Sequence, residues 1–177
     1  MSASIDKGIN ALKRQVDATV AAFFSSCVHC GLCAEACLFY TETGDPKRTP
    51  INKTEPLRRI WKNEYTLMGR LGKVLGLAKK VDEQLLQEWQ ELVYDSCTLC
   101  GRCSMVCPVG NDIAAMIRKT REGMAAAGQA PAGLVGAATR AVTIGSPMGV
   151  KWPALKAQIK HVEEDTGLKV PVDVPDV

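Results

Sequence analysis

Apolar residues recur every three or four positions through much of the chain. Ile5, Ile9, Leu12, Val16, Val20 and Phe23 form one such stripe, with Lys7, Lys13 and Arg14 on other faces. That spacing predicts one amphipathic helix over residues 5–24. Thr54 as N-cap and Pro56 in the first turn predict a helix over Glu55–Tyr65. Residues 67–81 keep the helical period but carry Gly69, Gly72 and Gly76 near one face, which either admit another backbone or break the helix. Residues 82–94 read as a helix. Asn111 or Asp112 can cap a helix through Ile113, Met116, Ile117 and Thr120 towards Met124. Residues 128–136 look loose, residues 134–144 form a short helix, and residues 153–166 form a helix with Pro153 at its start and Gly167 at its end. The tail, KVPVDVPDV, reads as extended. The pattern predicts six or seven helices and no sheet, an all-α fold.

Composition agrees with a globular protein, at 46% apolar and 23% charged residues, and only 5% aromatic. The 177 residues suit one domain with an appendage, taken as residues 1–150 and a partner-binding C-terminal helix and tail over 151–177. The opening MSASIDKGINALKRQ is amphipathic rather than a secretory signal. No run approaches the ~20 apolar residues of a membrane helix. A cytoplasmic chain, soluble or peripheral, is expected.

The cysteines change the picture. All eight lie in two runs, CVHCGLCAEAC at Cys27–Cys37 and CTLCGRCSMVCP at Cys97–Pro108, offset by 70 residues with 59 residues between them (38–96). The aligned runs share only their cysteines and Gly31/Gly101, so the repeat is one of ligand geometry. Without a secretion signal, disulfides lose weight. Zinc uses four ligands from two separated pairs, which leaves a triplet plus a fourth cysteine, twice, unexplained. The C-x2-C-x2-C-x3-C spacing suits a [4Fe–4S] cubane. In two-cluster ferredoxins the fourth cysteine of such a run ligates the other cluster. The expected sets are Cys27, Cys30, Cys33 and Cys107 for one cluster, and Cys97, Cys100, Cys103 and Cys37 for the other. Two half-sites that exchange a ligand must pack side by side, whatever lies between them in sequence. The centres should sit roughly 10–12 Å apart, about one helix diameter.

Charge adds a further constraint. The formal +3 falls to about −1 once two oxidised cubanes, each about −2 with its thiolates, are counted. Residues 47–80 hold ten Lys/Arg against Glu55 and Glu64. That segment can offset cluster charge, dock an acidic partner, meet an anionic membrane or simply be a solvated face. Arg102 in the second run, against Leu32 in the first, predicts the higher potential for the nearby cluster. His29 is expected to be an exposed loop residue rather than a ligand, and His161 a surface residue. Trp61, Trp89 and Trp152 are expected to be core or interface anchors. After the first run Leu38 replaces the proline, which should alter only how the chain leaves the site.

With these residues in hand, the chain resembles the small helical ferredoxin component of heterodisulfide reductase and the equivalent N-terminal module of its single-chain relatives, including those in sulfur metabolism. The likeness lies in both CxxCGxCxxxC runs, the second ending Cys107-Pro108-Val109-Gly110. It extends to Thr43-Gly44-Asp45-Pro46, Pro56–Trp61, Trp89–Tyr94 and Ile113–Arg121, covering about residues 20–150. The resemblance implies a helical ferredoxin with two [4Fe–4S] clusters that relays electrons. On one side it implies a flavoprotein or membrane electron-transfer subunit. On the other it implies a separate cysteine-rich subunit with a CCG motif, which this sequence lacks. A membrane-linked partner implies a place at the inner face of the membrane; peripheral membrane contact rests on residues 67–81, which suit a membrane, a partner or core packing equally.

Three functions compete on these residues. The first is a non-catalytic electron-transfer subunit of an oxidoreductase complex. The second is an iron–sulfur or zinc scaffold in a regulatory or nucleic-acid-binding protein. The basic segment favours it, but the aromatic interleaving of single-strand binders is missing, so no nucleic acid is expected. The third, a stand-alone enzyme, lacks both a nucleophile–base pair and an open metal corner.

Overall fold

The computed structural model describes residues 3–79 and 81–171, and among them there is no strand. It divides into two compact units, one up to Pro131 and one from Ala132 on, earlier than the expected boundary at 150/151. Beyond Pro171 the tail expected to be extended lies outside the described residues.

The first unit begins with two helices where one was expected, α1 (Ala3–Gln15) and α2 (Ala18–Ser26). Asp17 breaks the continuous apolar stripe. Its Oδ1 accepts the Val20 N–H at 3.0 Å as an N-cap, and Lys119 reaches its Oδ2 at 2.6 Å. The Lys119 ammonium, with the Val20 N–H, holds the Asp17 carboxyl below its ordinary range. Periodicity is blind to such a break because the apolar residues keep phase across it.

The first cysteine run contains one short helix, α3 (Leu32–Glu35), and is followed by another, α4 (Leu38–Thr43). Gly44, with φ 63°, ends α4, and Asp45 caps a 3-10 turn at Pro46–Arg48. Helix α5 (Glu55–Tyr65) has the expected bounds, but Thr54 does not cap it: its hydroxyl donates to the Ile51 carbonyl at 2.7 Å. Glu55 occupies the first turn instead. Burial works to raise its pKa, but the Arg58 and Arg59 guanidinium groups, 2.6 and 2.9 Å away, outweigh burial and lower it.

Helix α6 (Leu67–Val74) is shorter than its periodic pattern, because Gly76 turns left-handed at φ 72°. Helix α7 (Glu83–Gln90), capped by Asp82, runs on as a wider π-turn over Glu91–Asp95. The second cysteine run contains α8 (Arg102–Met105). Asp112 caps the central α9 (Ile113–Ala126), which buries Ile113, Met116, Ile117, Thr120 and Met124.

The core gathers Leu12, Phe23, Leu57, Leu86, Trp89, Val93, Met116 and Met124 around α9. Trp89 is buried and its indole N–H donates to the Asn52 carbonyl at 2.9 Å. Trp61 stacks on Phe24 with ring centroids 5.4 Å apart. Trp152, expected as an anchor, is 56% exposed.

The second unit holds α10 (Ala132–Ile144) and α11 (Trp152–Thr166). Helix α10 starts inside the stretch expected to be loose, since Gly133 and Gly136 lie within it. The described chain therefore has eleven α-helical segments rather than six or seven, the excess coming from the split at Asp17 and from the short α3, α4 and α8 in or beside the cysteine runs.

Helices α1 and α9 cross where side chains are missing. A Cβ on Gly8 would lie 2.3 Å from the Ala127 Cβ, and one on Gly123 would lie 2.3 Å from the Leu12 Cγ. Gly123→Val should therefore destabilise by about 1–3 kcal/mol through overpacking. Gly72→Ala, with nothing within 4 Å of the new methyl, should be neutral or stabilising by up to about 1 kcal/mol. Thermal-unfolding midpoints of the two variants check this contrast, and equal midpoints would contradict it.

Candidate functional site

Each cysteine loop is shaped by two left-handed residues. His29 and Gly31 have φ 53° and 87°, and the matching Leu99 and Gly101 have φ 56° and 79°. Gly31 and Gly101 then start α3 and α8, so the second and third thiols of each run stand on either side of a tight turn. The glycine tolerates this conformation, whereas His29 and Leu99 adopt it at a steric cost. The repeat visible in the cysteines is thus also a repeat in backbone shape.

The short helices α3 and α8 pack against each other. Two cavities flank this contact, with volumes of about 110 and 290 Å³. Both far exceed the ~10–15 Å³ that admits one water. Cys27, Cys30, Cys33 and Cys107 line the first, and Cys37, Cys97, Cys100 and Cys103 line the second. Each cavity thus collects three thiols from one run and one from the other. Cys30 and Cys100 are exposed and the other six are partly buried. Among the described residues, no three Cys, His, Asp or Glu side chains converge as a single-ion site would require. The thiols ring a space instead.

The surroundings differ. Phe23, Val28, Ile51, Val109 and Ile113 make the first cavity apolar. At its wall Ser26 donates to Asn111 Oδ1 at 3.1 Å, which leaves Asn111 Nδ2 as a buried donor with no partner in the protein. A buried donor without an acceptor is costly, and a sulfur-rich anionic group in this cavity would supply one.

The second cavity carries two cations. Arg102 stands exposed at its rim, as its position in the run suggested. Lys53 is only 1% exposed. Its Nζ donates to the Ser96 carbonyl at 2.5 Å, lies 3.6 Å from Cys37 Sγ and 5.3 Å from the Phe39 ring centre. None of these contacts is a carboxylate. A buried ammonium needs a counter-charge, and a thiolate-bound cluster provides it. The residues therefore fit such a group on two separate grounds, an orphaned amide in one cavity and a buried ammonium in the other.

The thiols respond to these settings. Burial pushes the Cys103 thiol up to about 11, with the neighbouring Cys97 adding to it, and burial also raises Cys33. The Arg102 backbone N–H lowers Cys100. Metal binding requires thiolates, so loading these rings must expel protons that the buried thiols otherwise hold.

The polar insert between the runs anchors the second loop. Arg48 reaches Ser96 Oγ at 2.5 Å and Glu91 at 2.8 Å, and Lys47 pairs with Glu88. From α9, Arg121 donates to the Val93 carbonyl at 2.7 and 2.9 Å and to the Cys97 carbonyl, with its guanidinium 5.1 Å from the Tyr94 ring centre. Sequence reasoning missed Lys53, Arg121 and the role of Asn111. Lys53 sits in a polar loop of ordinary composition. Its only signal was membership of the basic segment, where it looks like any solvated lysine. His29 is exposed, as expected, although it lines the first cavity. His161 is a surface residue 3.5 Å from Asp165. After Cys37 the chain enters α4 at Leu38, whereas after Cys107 Pro108 begins a turn closed by Gly110, so Leu38 alters how the chain leaves the site.

Comparison with known proteins agrees with this geometry. The family described as 4Fe-4S dicluster domain matches residues 24–111. The chain is 41% identical over 96 residues to an Hdr-like menaquinol oxidoreductase iron-sulfur subunit of Archaeoglobus profundus. It is 37% identical over 95 residues to the iron-sulfur subunit 2 of that name from Archaeoglobus fulgidus. Each match covers 54% of this chain but only 17% of the relative, so the chain spans about a sixth of the length of the curated relatives it matches. No solved structure matches it.

Removing the Arg121 anchor tests how the second loop is held. Arg121→Leu leaves the Val93 and Cys97 carbonyls without their donor and should cost about 1.5–3 kcal/mol, the range for charged hydrogen bonds. The thermal midpoint should fall, with Arg121→Lys recovering part of the loss. An unchanged midpoint would mean that the carbonyls find other partners.

Proposed function

We propose that the chain, whose residues 24–111 match a 4Fe-4S dicluster domain, is an iron–sulfur protein of the heterodisulfide reductase type and the electron-transfer subunit of a heterodisulfide reductase-like complex. It relays electrons between a flavin- or membrane-linked module and a separate cysteine-rich, CCG-type catalytic subunit. The observation that carries this reading is the regrouping of eight cysteines, three plus one, around two adjacent cavities.

Two [4Fe–4S] clusters fit the eight cysteines, and when bound each supplies a centre that accepts and releases one electron. We assign Cys27, Cys30, Cys33 and Cys107 to the first, and Cys97, Cys100, Cys103 and Cys37 to the second. The protein's own part is to hold thiolates, exclude water and set the local charge. The first cavity does this with an apolar wall and one amide donor. The second adds the Lys53 ammonium inside and the Arg102 guanidinium at the rim, both of which favour extra negative charge nearby. The second centre is therefore the higher in potential, and electrons fall towards it from the first.

The name that the relatives carry supports a membrane-linked donor. No described helix is long and apolar enough to cross a membrane, and the complex is proposed to work at the inner membrane face. The exposed Trp152, Leu155 and Val162 of α11 support partner contact through the C-terminal segment.

Anaerobic iron and sulfide analysis with an EPR titration tests the relay. About eight irons and eight sulfides per chain, with spin–spin coupled cubane signals, are expected. Zinc without a reducible signal would replace the relay with a scaffold.

Lys53→Met should lower the second centre's midpoint potential by on the order of 100 mV, between one and two tenfold steps at about 59 mV each. The first centre should shift far less, and Lys53→Arg should keep most of the native value. Equal shifts at both centres would contradict the assignment of Lys53 to the second site.

A further inference from the structure

Helix α6 turns its apolar side outwards. At 100° per residue, Leu67, Met68, Leu71, Val74 and Leu75 fall within a stripe about 120° wide, the width a core-facing helix normally buries. Here the opposite side is inside. Gly69 is buried, and a Cβ there would lie 1.8 Å from the Lys62 carbonyl oxygen, so the bare backbone of α6 sits against the end of α5. Each of the five stripe residues is 54–85% exposed, and Leu77 just beyond is 79% exposed. The stripe is the product of glycine packing, since a side chain at Gly69 would push the helix off α5.

Cations lie near the stripe. Arg70 falls just beyond its edge and Lys62 and Lys79 are exposed on the adjoining segments, whereas Lys73 falls on the opposite side of the helix; between Pro56 and Val81 the only carboxylate is Glu64. Glu64 is already engaged by Lys13 at 3.3 Å and Lys73 at 2.7 Å, and these ammonium groups, Lys73 first, lower its pKa. Tyr65, the last residue of α5, is half exposed. Protein interfaces are depleted of lysine and favour aromatic anchors, and nucleic-acid grooves do not present a leucine–methionine–valine face. Leucine, methionine and valine on one face, an arginine at its flank and further lysines on the adjoining segments are the chemistry of a helix lying in a bilayer interface.

We propose that α6 and the turn to Leu77 form a docking surface for an anionic lipid bilayer, with the stripe immersed among acyl chains and Arg70, Lys62 and Lys79 at the level of acidic headgroups. This inference does not depend on the redox reading, and lipid binding is measured without reducing the protein.

The test is co-sedimentation of the cluster-loaded full chain with vesicles of phosphatidylcholine alone and with added phosphatidylglycerol, at low and high salt. Binding at least tenfold stronger to the phosphatidylglycerol vesicles, weakened by salt, is expected. The double variant Leu71→Ser/Val74→Ser should lose at least tenfold in binding while keeping iron content and thermal midpoint, because both positions are exposed. Arg70→Ala should reduce the preference for phosphatidylglycerol. Failure of the native chain to bind either vesicle would overturn the proposal. So would binding that the double variant leaves intact, or a solution dimer that the double variant dissociates, which would give the stripe to a second copy of the chain.

Discussion

Cys107 closes the cavity ringed by Cys27, Cys30 and Cys33, and Cys37 closes the one ringed by Cys97, Cys100 and Cys103. That exchange dictates much else. It requires the two loops to lie together, so α3 must meet α8. The chain between the runs must leave the site and return. It does so as α5, α6 and α7, of which α5 and α7 supply core residues, without coming between the cavities. Helix α9, starting soon after Cys107, lays its first turns beside both cavities through Ile113, Ala114 and Ile117.

The intervening segment does more than span a distance. Its basic residues have separate roles determined by place. Lys47 and Arg48 hold the approach to the second loop, and Lys53 is buried against it. Arg58 and Arg59 offset the burial of Glu55. Lys62, Arg70, Lys73 and Lys79 remain at the surface around α6. A single net charge hides this division. The charge nearest a cavity acts strongly because water does not screen it, whereas the surface cations act at longer range and under salt.

The two cavities are alike in backbone and unlike in environment. The same left-handed pairs, His29 with Gly31 and Leu99 with Gly101, shape both loops. Around them, one wall is apolar with a lone amide and the other holds an ammonium. A repeated loop with two surroundings is a simple way for one fold to give two centres different electron affinities, because potential follows charge, hydrogen bonding and burial rather than ligand identity.

Much of this was legible in the residues. The cysteine spacing announced two four-thiol sites, since only converging thiolates need that rhythm, and the 3.6-residue period announced an all-helical fold. The bounds of α5 and the Asp112 cap of α9 followed from local side chains that act on their own backbone. Where local rules were insufficient, distant partners decided. The break at Asp17 depends partly on Lys119, which is 102 residues away. Thr54 turns back to Ile51 rather than capping α5. Lys53 and Arg121 owe their roles to carbonyls more than twenty residues off. The outward stripe of α6 depends on which side Gly69 offers to α5, and a periodic pattern states only that a face exists, not where it points. The sequence by itself determined the thiol chemistry and the helices, because spacing and local capping are properties of neighbours along the chain. Tertiary structure alone decided which charge is buried, which donor is left over and which apolar face meets the outside, because those depend on residues that become neighbours only on folding.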